Sequence, residues 1–139
     1  MPAPSIPRAI REFLALPNIA VVSTVMPSGS PHTAATWYGW EDGRVLLNMD
    51  ESRRRLEYMR LNPRVAMTAM EEGNWSKQVS VMGRVVSIES DPDLRDIDRL
   101  AVRYTGEPFH SRTQRRWSAW VEVDRWYGWD GSSAWPEGR

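Results

Sequence analysis

Apolar residues along this chain follow two rhythms, and the switches between them set out the expected elements. Ile6, Ile10, Phe13 and Leu14 recur at helical spacing between Pro7 and Pro17, which predicts a short amphipathic helix. From Ile19 to Val25 nearly every residue is a strand former, and Pro27-Ser28-Gly29-Ser30 then supplies a turn. His32 to Trp40 reads as the returning strand, Glu41-Asp42-Gly43 as the next tight turn, and Arg44 to Met49 as a third strand. A helix follows over Asp50 to Asn62, stopped by Pro63. Val65 to Met70 predicts a fourth strand, with turn residues at Glu71-Glu72-Gly73-Asn74. Lys77 to Ile88 is longer, with Val79, Val81, Gly83 and Val85 on one face and Met82, Arg84, Val86 and Ile88 on the other. Gly83 marks a bend or a close backbone approach.

Asp91-Pro92 is a helix start, and Leu94, Ile97, Leu100, Ala101 and Tyr104 form its buried stripe until Gly106. A further helical segment is expected over Ser111 to Ser118. Trp120 to Trp129 reads as the last strand, with Val121, Val123 and Tyr127 opposed to Trp120, Glu122, Asp124 and Trp126. Asp130 to Arg139 reads as a loosely ordered tail. Six mainly antiparallel strands with a few helices predict an α+β domain whose sheet curls into a small barrel. At 139 residues, 1–139 is read as a single domain. A barrel this small fills its interior with side chains, so a ligand binds outside it, often against a second subunit.

The helix after the third strand has an unusual charge pattern. Arg53, Arg54 and Arg55 occupy its first turn, where the macrodipole and unpaired N–H groups already present positive potential. A bound anion reverses that disadvantage, and arginine forks grip phosphate oxygens in pairs, so the stretch reads as a phosphate clamp. The alternative is a solvated helix whose arginines are balanced by Asp50, Glu51 and Glu57.

Overall charge is balanced, 18 basic against 18 acidic residues, which gives no general electrostatic pull toward nucleic acid or an anionic membrane. The absence of cysteine excludes disulfides, thiolate metal sites and thiol nucleophiles. Neither a signal-peptide run nor a membrane-spanning stretch stands in the sequence, so a soluble, cytoplasmic protein is expected. His32 and His110 are the only histidines and have no ligand-spaced partners, so no metal site is expected. Glycines form neither a Walker loop nor a dinucleotide fingerprint, and no nucleophile elbow frames a serine. Eight tryptophans favour interfaces and ring-binding pockets over a wholly apolar core. A phosphate clamp beside aromatic strands suits an organic cofactor that brings its own reactivity.

Several landmarks then fall in a recognisable order: Leu16-Pro17-Asn18-Ile19-Ala20, Pro27-Ser28-Gly29-Ser30-Pro31-His32, Trp37-Tyr38 with Glu41-Asp42-Gly43-Arg44, Ser52-Arg53-Arg54-Arg55 leading to Asn62-Pro63-Arg64-Val65-Ala66, and Gly83-Arg84-Val85. Together they resemble the flavin/deazaflavin oxidoreductases, split β-barrel proteins similar to pyridoxamine 5'-phosphate oxidase. Within these the chain most resembles the actinobacterial branch that uses coenzyme F420. The resemblance covers roughly residues 10 to 129.

The resemblance implies an FMN-binding-type split barrel and a homodimer. It places the cofactor phosphate on Arg53 and Arg55, ten and eight positions before the helix-ending proline, with Ser52 nearby. Arg54 belongs to the same basic run, and Arg60 and Lys77 add charge for an anionic tail. Asn48 and Met49 are implied as contacts to the cofactor ring, with Trp37 and Tyr38 lining the groove. Trp75, Lys77 and Gln78 resemble the segment that reaches across the subunit boundary, and Trp75, Trp120 and Trp126 are the interface candidates. The implied activity is hydride transfer between F420 and a small conjugated acceptor. No general acid is required, and Tyr38 and His32 are candidates only. The alternatives are an FMN-dependent oxidase or reductase of the same fold, and an F420-binding protein without turnover.

Overall fold

A computed structural model of the chain describes residues 5–136. The elements are α1 (Arg8–Leu14), β1 (Ile19–Val25), β2 (Pro31–Thr36), β3 (Gly39–Glu41), β4 (Arg44–Asp50), α2 (Arg54–Leu61), β5 (Arg64–Glu71), β6 (Asn74–Ser90), α3 (Arg95–Thr105) and β7 (Arg116–Trp129). All strands join one antiparallel sheet in the order β2-β1-β5-β6-β7-β4-β3.

The sheet has seven strands rather than the expected six, because the strand anticipated over His32 to Trp40 divides at Trp37 and Tyr38. β2 pairs with β1 and β3 with β4, so these halves lie on opposite edges of the sheet. Trp37 and Tyr38 carry the chain from one edge to the other. Among the described residues no ladder joins β2 to β3, so the curled sheet is not closed by hydrogen bonds.

Inside the curl lie Val22, Val45, Leu47, Met67, Val81 and Val121, joined by Ile10, Phe13 and Leu14 of α1 and Leu56 and Met59 of α2. Each helix contributes its apolar stripe and leaves its charged face in water. Fully burying a side chain of this size stabilises the fold by about 1.5–3 kcal/mol. Gly83 is required where β6 passes β7, since a Cβ there would stand 1.9 Å from the Glu122 carbonyl oxygen.

Strand bulges correct the expected faces. The β6–β7 register skips at Asp124, between Met82↔Arg125 and Gly83↔Val123. One extra residue reverses the alternation. Tyr127 therefore turns outward, and Trp126 packs against the core. A second skip at Val86 exposes that residue and brings Ile88 inward with Val85.

Helix boundaries differ too. Arg53, with no side-chain cap, precedes α2, and α3 begins at Arg95 after Leu94 in the left-handed region. The Asp91 carboxylate still accepts from the Asp96 and Ile97 N–H groups, both at 3.1 Å, and so caps α3 from outside. The helix expected over Ser111 to Ser118 does not form: pairing of Asp50 with Arg116 and Ser90 with Trp117 draws the end of that stretch into β7 and leaves residues 111–115 as loop. The tail folds back as far as residue 136. Ala134 bridges to Trp129, and the Trp135 ring meets Phe13 edge-on at 5.6 Å. Residues 1–4 and 137–139, which carry parts of the expected N-terminal stretch and tail, lie outside the described residues.

Candidate cofactor-binding site

A cavity of about 650 Å³ lies where β4 hands over to α2, bounded also by β1, β2, α3 and the loop before β7. Its polar lining is a basic cluster of Arg53, Arg55 and Arg116 with Asp50, Asn48 and Gln114. Its apolar lining includes Trp37, Tyr104 and Phe109, with Ile97 and Leu100 from the inner face of α3.

The basic cluster is built by the turn from β4 into α2. Asp50 is buried, and its carboxylate accepts from the Ser52 N–H at 2.9 Å and from the Ser52 hydroxyl. Its other oxygen stands 3.2 Å from Arg53 Nε. Burial pushes the Asp50 carboxyl up, but the Ser52 hydrogen bonds and the arginine charges outweigh it and hold the group below the usual carboxylate range. Among the described residues Arg55 has no such partner. Its Nε is buried without an acceptor, and burial, followed by the charge of Arg53, lowers its proton affinity. Like charges gathered in a partly dry site are unfavourable until an anion joins them.

The aromatic cluster is held by α3. Trp37 stacks on Tyr104 at 5.4 Å with ring planes 8° apart, and Phe109 meets Trp37 edge-on at 6.1 Å. The Tyr104 hydroxyl donates to the Asn18 carbonyl at 2.7 Å. Asp98 fixes the loop by accepting from the Phe109 N–H at 3.0 Å and pairing with Arg112 at 2.7 Å. Flat apolar faces beside a cationic cluster fit a planar ring that carries a phosphate.

Of the residues singled out in the sequence, Arg53, Arg55, Asn48, Met49 and Trp37 do line this cavity. Ser52 stays one step back, bonded to Asp50, and borders an outer groove instead. Arg54 lines that groove with Arg60, and Arg53 borders both spaces. Tyr38 is a correction. Its ring is 0% exposed, and its hydroxyl donates to the Leu14 carbonyl at 2.8 Å while accepting from Asn18 Nδ2 at 3.0 Å, so it serves the core and cannot reach a ligand. His32 packs edge-on against Tyr58 at 5.4 Å and lines no part of the cavity. Trp75, Lys77 and Gln78 also lie outside it. Lys77 Nζ sits 4.7 Å from the Trp135 ring, away from the arginines it was expected to join.

Sequence reasoning missed Arg116, Gln114, Tyr104, Phe109 and His110 as lining residues. For Arg116 the only signal is its ladder partner, Asp50, and a ladder between residues so far apart is invisible in a linear pattern.

Comparison with known proteins decides the family. The profile of pyridoxamine 5'-phosphate oxidase matches residues 6–130. The chain belongs to the pyridoxamine 5'-phosphate oxidase family. Among solved structures, this family member resembles an F420 reductase at 24% identity and a TM-score of 0.79, covering 87% of this chain and 98% of that one. It also resembles a conserved hypothetical protein from Mycobacterium tuberculosis (22% identity, TM-score 0.73, 95% and 91% covered). A third likeness is to a putative pyridoxamine 5'-phosphate oxidase from Listeria innocua (15% identity, TM-score 0.65, 86% and 94% covered). No curated protein sequence matches at a significant level. These likenesses establish the split-barrel fold, and the family rests on the profile match. No described helix is long and apolar enough to cross a membrane.

Proposed function

We propose that this protein is an F420-dependent oxidoreductase that transfers a hydride between the deazaflavin and a small conjugated acceptor. The observation that carries the reading is the cavity itself, in which unanswered arginines adjoin stacked aromatic rings. Arg53 and Arg55 would hold the cofactor phosphate by charge-assisted hydrogen bonds. Asp50 keeps Arg53 in place through Nε and leaves the outer N–H groups of the fork for a ligand. Trp37, Tyr104 and Phe109 would flank the ring and exclude water from it. When bound, the deazaflavin supplies the carbon that takes up or releases the hydride. Such a step asks little proton chemistry of the protein, in keeping with a lining dominated by arginines and apolar groups.

F420 is favoured over FMN because positive charge continues past the clamp. Arg53 passes from the cavity to the outer groove, where Arg54 and Arg60 stand with Glu51 and Glu57, and the surplus of positive charge suits an anion that extends beyond its first phosphate. The likeness to an F420 reductase agrees with this choice. We further propose a homodimer with the cofactor in a groove between two chains. Trp75, 72% exposed on the β5–β6 hairpin, supports this, since Trp75, Lys77 and Gln78 would then reach the partner's cavity. Titration of the purified protein with F420 and with FMN, each followed by fluorescence, tests the reading. F420 is expected to bind and FMN to bind more weakly. Tight FMN binding with no detectable F420 binding would replace the proposal with an FMN-dependent oxidase or reductase. F420 binding without turnover of any acceptor would leave a carrier, and a monomer that still binds cofactor would remove the dimer.

A further inference from the structure

Arg116 is 8% exposed, deeper than any other arginine of the basic cluster. A cation at that depth is ordinarily paired with a carboxylate, because an unpaired buried charge costs several kcal/mol. Among the described residues no Asp or Glu oxygen stands within ion-pair distance of it. Its partners are neutral: Nε donates to Asn48 Oδ1 at 2.8 Å, one Nη donates to Gln114 Oε1 at 2.8 Å, and the guanidinium lies 4.6 Å from the Phe109 ring. The nearest carboxylates are engaged elsewhere. Asp50 serves Ser52 and Arg53, and Asp91 serves Asn48 and the first N–H groups of α3.

Asn48 offers its oxygen, rather than its amino group, for a traceable reason. The Ser118 hydroxyl donates its proton to Asp96 at 2.6 Å, so its oxygen accepts from Asn48 Nδ2 at 3.0 Å. Asp91 takes the second Nδ2 proton at 3.2 Å. With both amide protons committed, only Oδ1 faces Arg116. Three neighbouring side chains therefore aim an arginine into the cavity without neutralising it.

We propose that Arg116 is the third arm of the anion site formed by Arg53 and Arg55, and that Asn48 is the residue that positions it. Three guanidiniums against the single lining carboxylate of Asp50 leave two positive charges unanswered. The ligand accordingly presents two negative charges here, as a phosphomonoester dianion or as a phosphodiester with a carboxylate close beyond it. This rests on the reading of Arg53 and Arg55 as a phosphate clamp.

Calorimetric titration of the ligand-free, full-length protein with glycerol 2-phosphate and with dimethyl phosphate at fixed salt tests it. Glycerol 2-phosphate binds, and dimethyl phosphate, with its single charge, binds at least about tenfold more weakly. Arg116→Gln weakens glycerol 2-phosphate by about tenfold. Asn48→Ala weakens it several-fold in the parent and has no further effect in the Arg116→Gln background. Ser118→Ala, which removes one anchor of Asn48, acts in the same direction and serves if Asn48→Ala melts early. An equal loss from Asn48→Ala in both backgrounds removes the positioning role. Equal binding of the two phosphates removes the two-charge match. Unchanged binding in Arg116→Gln, with loss in Arg53→Ala and Arg55→Ala, defeats the inference and leaves the clamp standing. No effect from any arginine variant defeats the clamp as well. Titration of Arg116→Gln with FMN and with F420 then tells the sources apart, since the cofactor whose affinity falls is the one that Arg116 contacts.

Discussion

Arg103, half-buried, and Arg116, buried, sit on aromatic rings in different regions of this molecule, and they differ in what answers their charge. Arg103 lies 5.1 Å from the Tyr38 ring and donates to the carbonyls of Leu14, Ala15 and Leu16 at 3.1, 2.7 and 2.6 Å. These are carbonyls at the end of α1 that lack helical partners, where a cation is also favoured by the dipole. Tyr38 and Asn18 complete the junction, and only the Arg103 Nε lacks an acceptor. Arg116, at 4.6 Å from Phe109, is held by two neutral amides and, among the described residues, meets no carboxylate. Three carbonyls at the negative end of α1 answer the first arginine, whereas the second, held by two side-chain amides at the cavity wall, takes its countercharge from outside. The α1–α3 junction therefore carries stability, and the cavity carries binding.

The largest effect falls at the junction. Tyr38→Ala removes a fully buried ring together with the hydroxyl that joins Leu14 to Asn18, and is expected to cost about 3–5 kcal/mol. Urea unfolding measures it, and a midpoint within experimental scatter of the parent would overturn the structural role assigned to Tyr38.

Next come the clamp residues, where the loss appears in binding. Arg53→Ala and Arg55→Ala each remove a charge-assisted contact worth about 1.5–3 kcal/mol, so the cofactor dissociation constant rises about tenfold or more. Arg53 is exposed apart from its pairing with Asp50, so folding stability should move by no more than about 0.5 kcal/mol. The contrast fails if both variants bind as the parent does, or if they unfold as readily as Tyr38→Ala.

The residues that match these two regions were unevenly legible in the sequence. Core strands and the first helix follow from local periodicity, and Ile10, Phe13 and Leu14 are buried as their spacing requires. The arginine run declared itself by breaking a local rule, three cations in a first helical turn. Tyr38 misled because Trp37 and Tyr38 look like one strand, yet the chain crosses between sheet edges there and sends one ring to the cavity and the other to the core. Arg116 was hidden twice. Its stretch reads as helical in isolation, and its partner Asn48, with the Asp91 that holds Asn48, comes from distant elements that only the β4–β7 and β6–β7 ladders bring together.

The two regions should also fail at opposite ends of the pH scale. Burial raises the Tyr38 hydroxyl far above its ordinary value and raises Tyr104 as well. A group held neutral in the fold gives stability that is present below its unfolded pKa of about 10 and is lost as pH climbs past it toward the folded value. At the cavity, Asp50 is held below the usual range, so its contribution is present above about pH 4 and is lost as pH falls through the lower folded value. Chemical denaturation across pH checks both limbs. Tyr38→Phe should flatten the alkaline limb, and Asp50→Asn the acid one; an unchanged alkaline limb in Tyr38→Phe would detach that tyrosine from the alkaline transition.

The smallest effect is the most discriminating, because its sign is opposite to that of an ordinary core change. Arg55 stands in the first turn of α2, its Nε is buried without an acceptor among the described residues, and burial, then the charges of Arg53 and Arg116, lower its proton affinity against the opposing pull of Asp50. In the ligand-free protein its charge therefore works against the fold. Arg55→Met keeps much of the side-chain length and removes that charge, together with the repulsion by the α2 dipole, which alone is worth about 0.3–1 kcal/mol. The ligand-free variant should melt at the same temperature as the parent or slightly above it, while binding phosphate at least about tenfold less well. In saturating cofactor the order reverses, because only the parent gains the stabilisation that binding confers. Thermal melts with and without ligand supply both comparisons. Clear destabilisation of the ligand-free protein by Arg55→Met would mean that Arg55, like Arg103, is answered by the fold, and the contrast between the two regions would disappear.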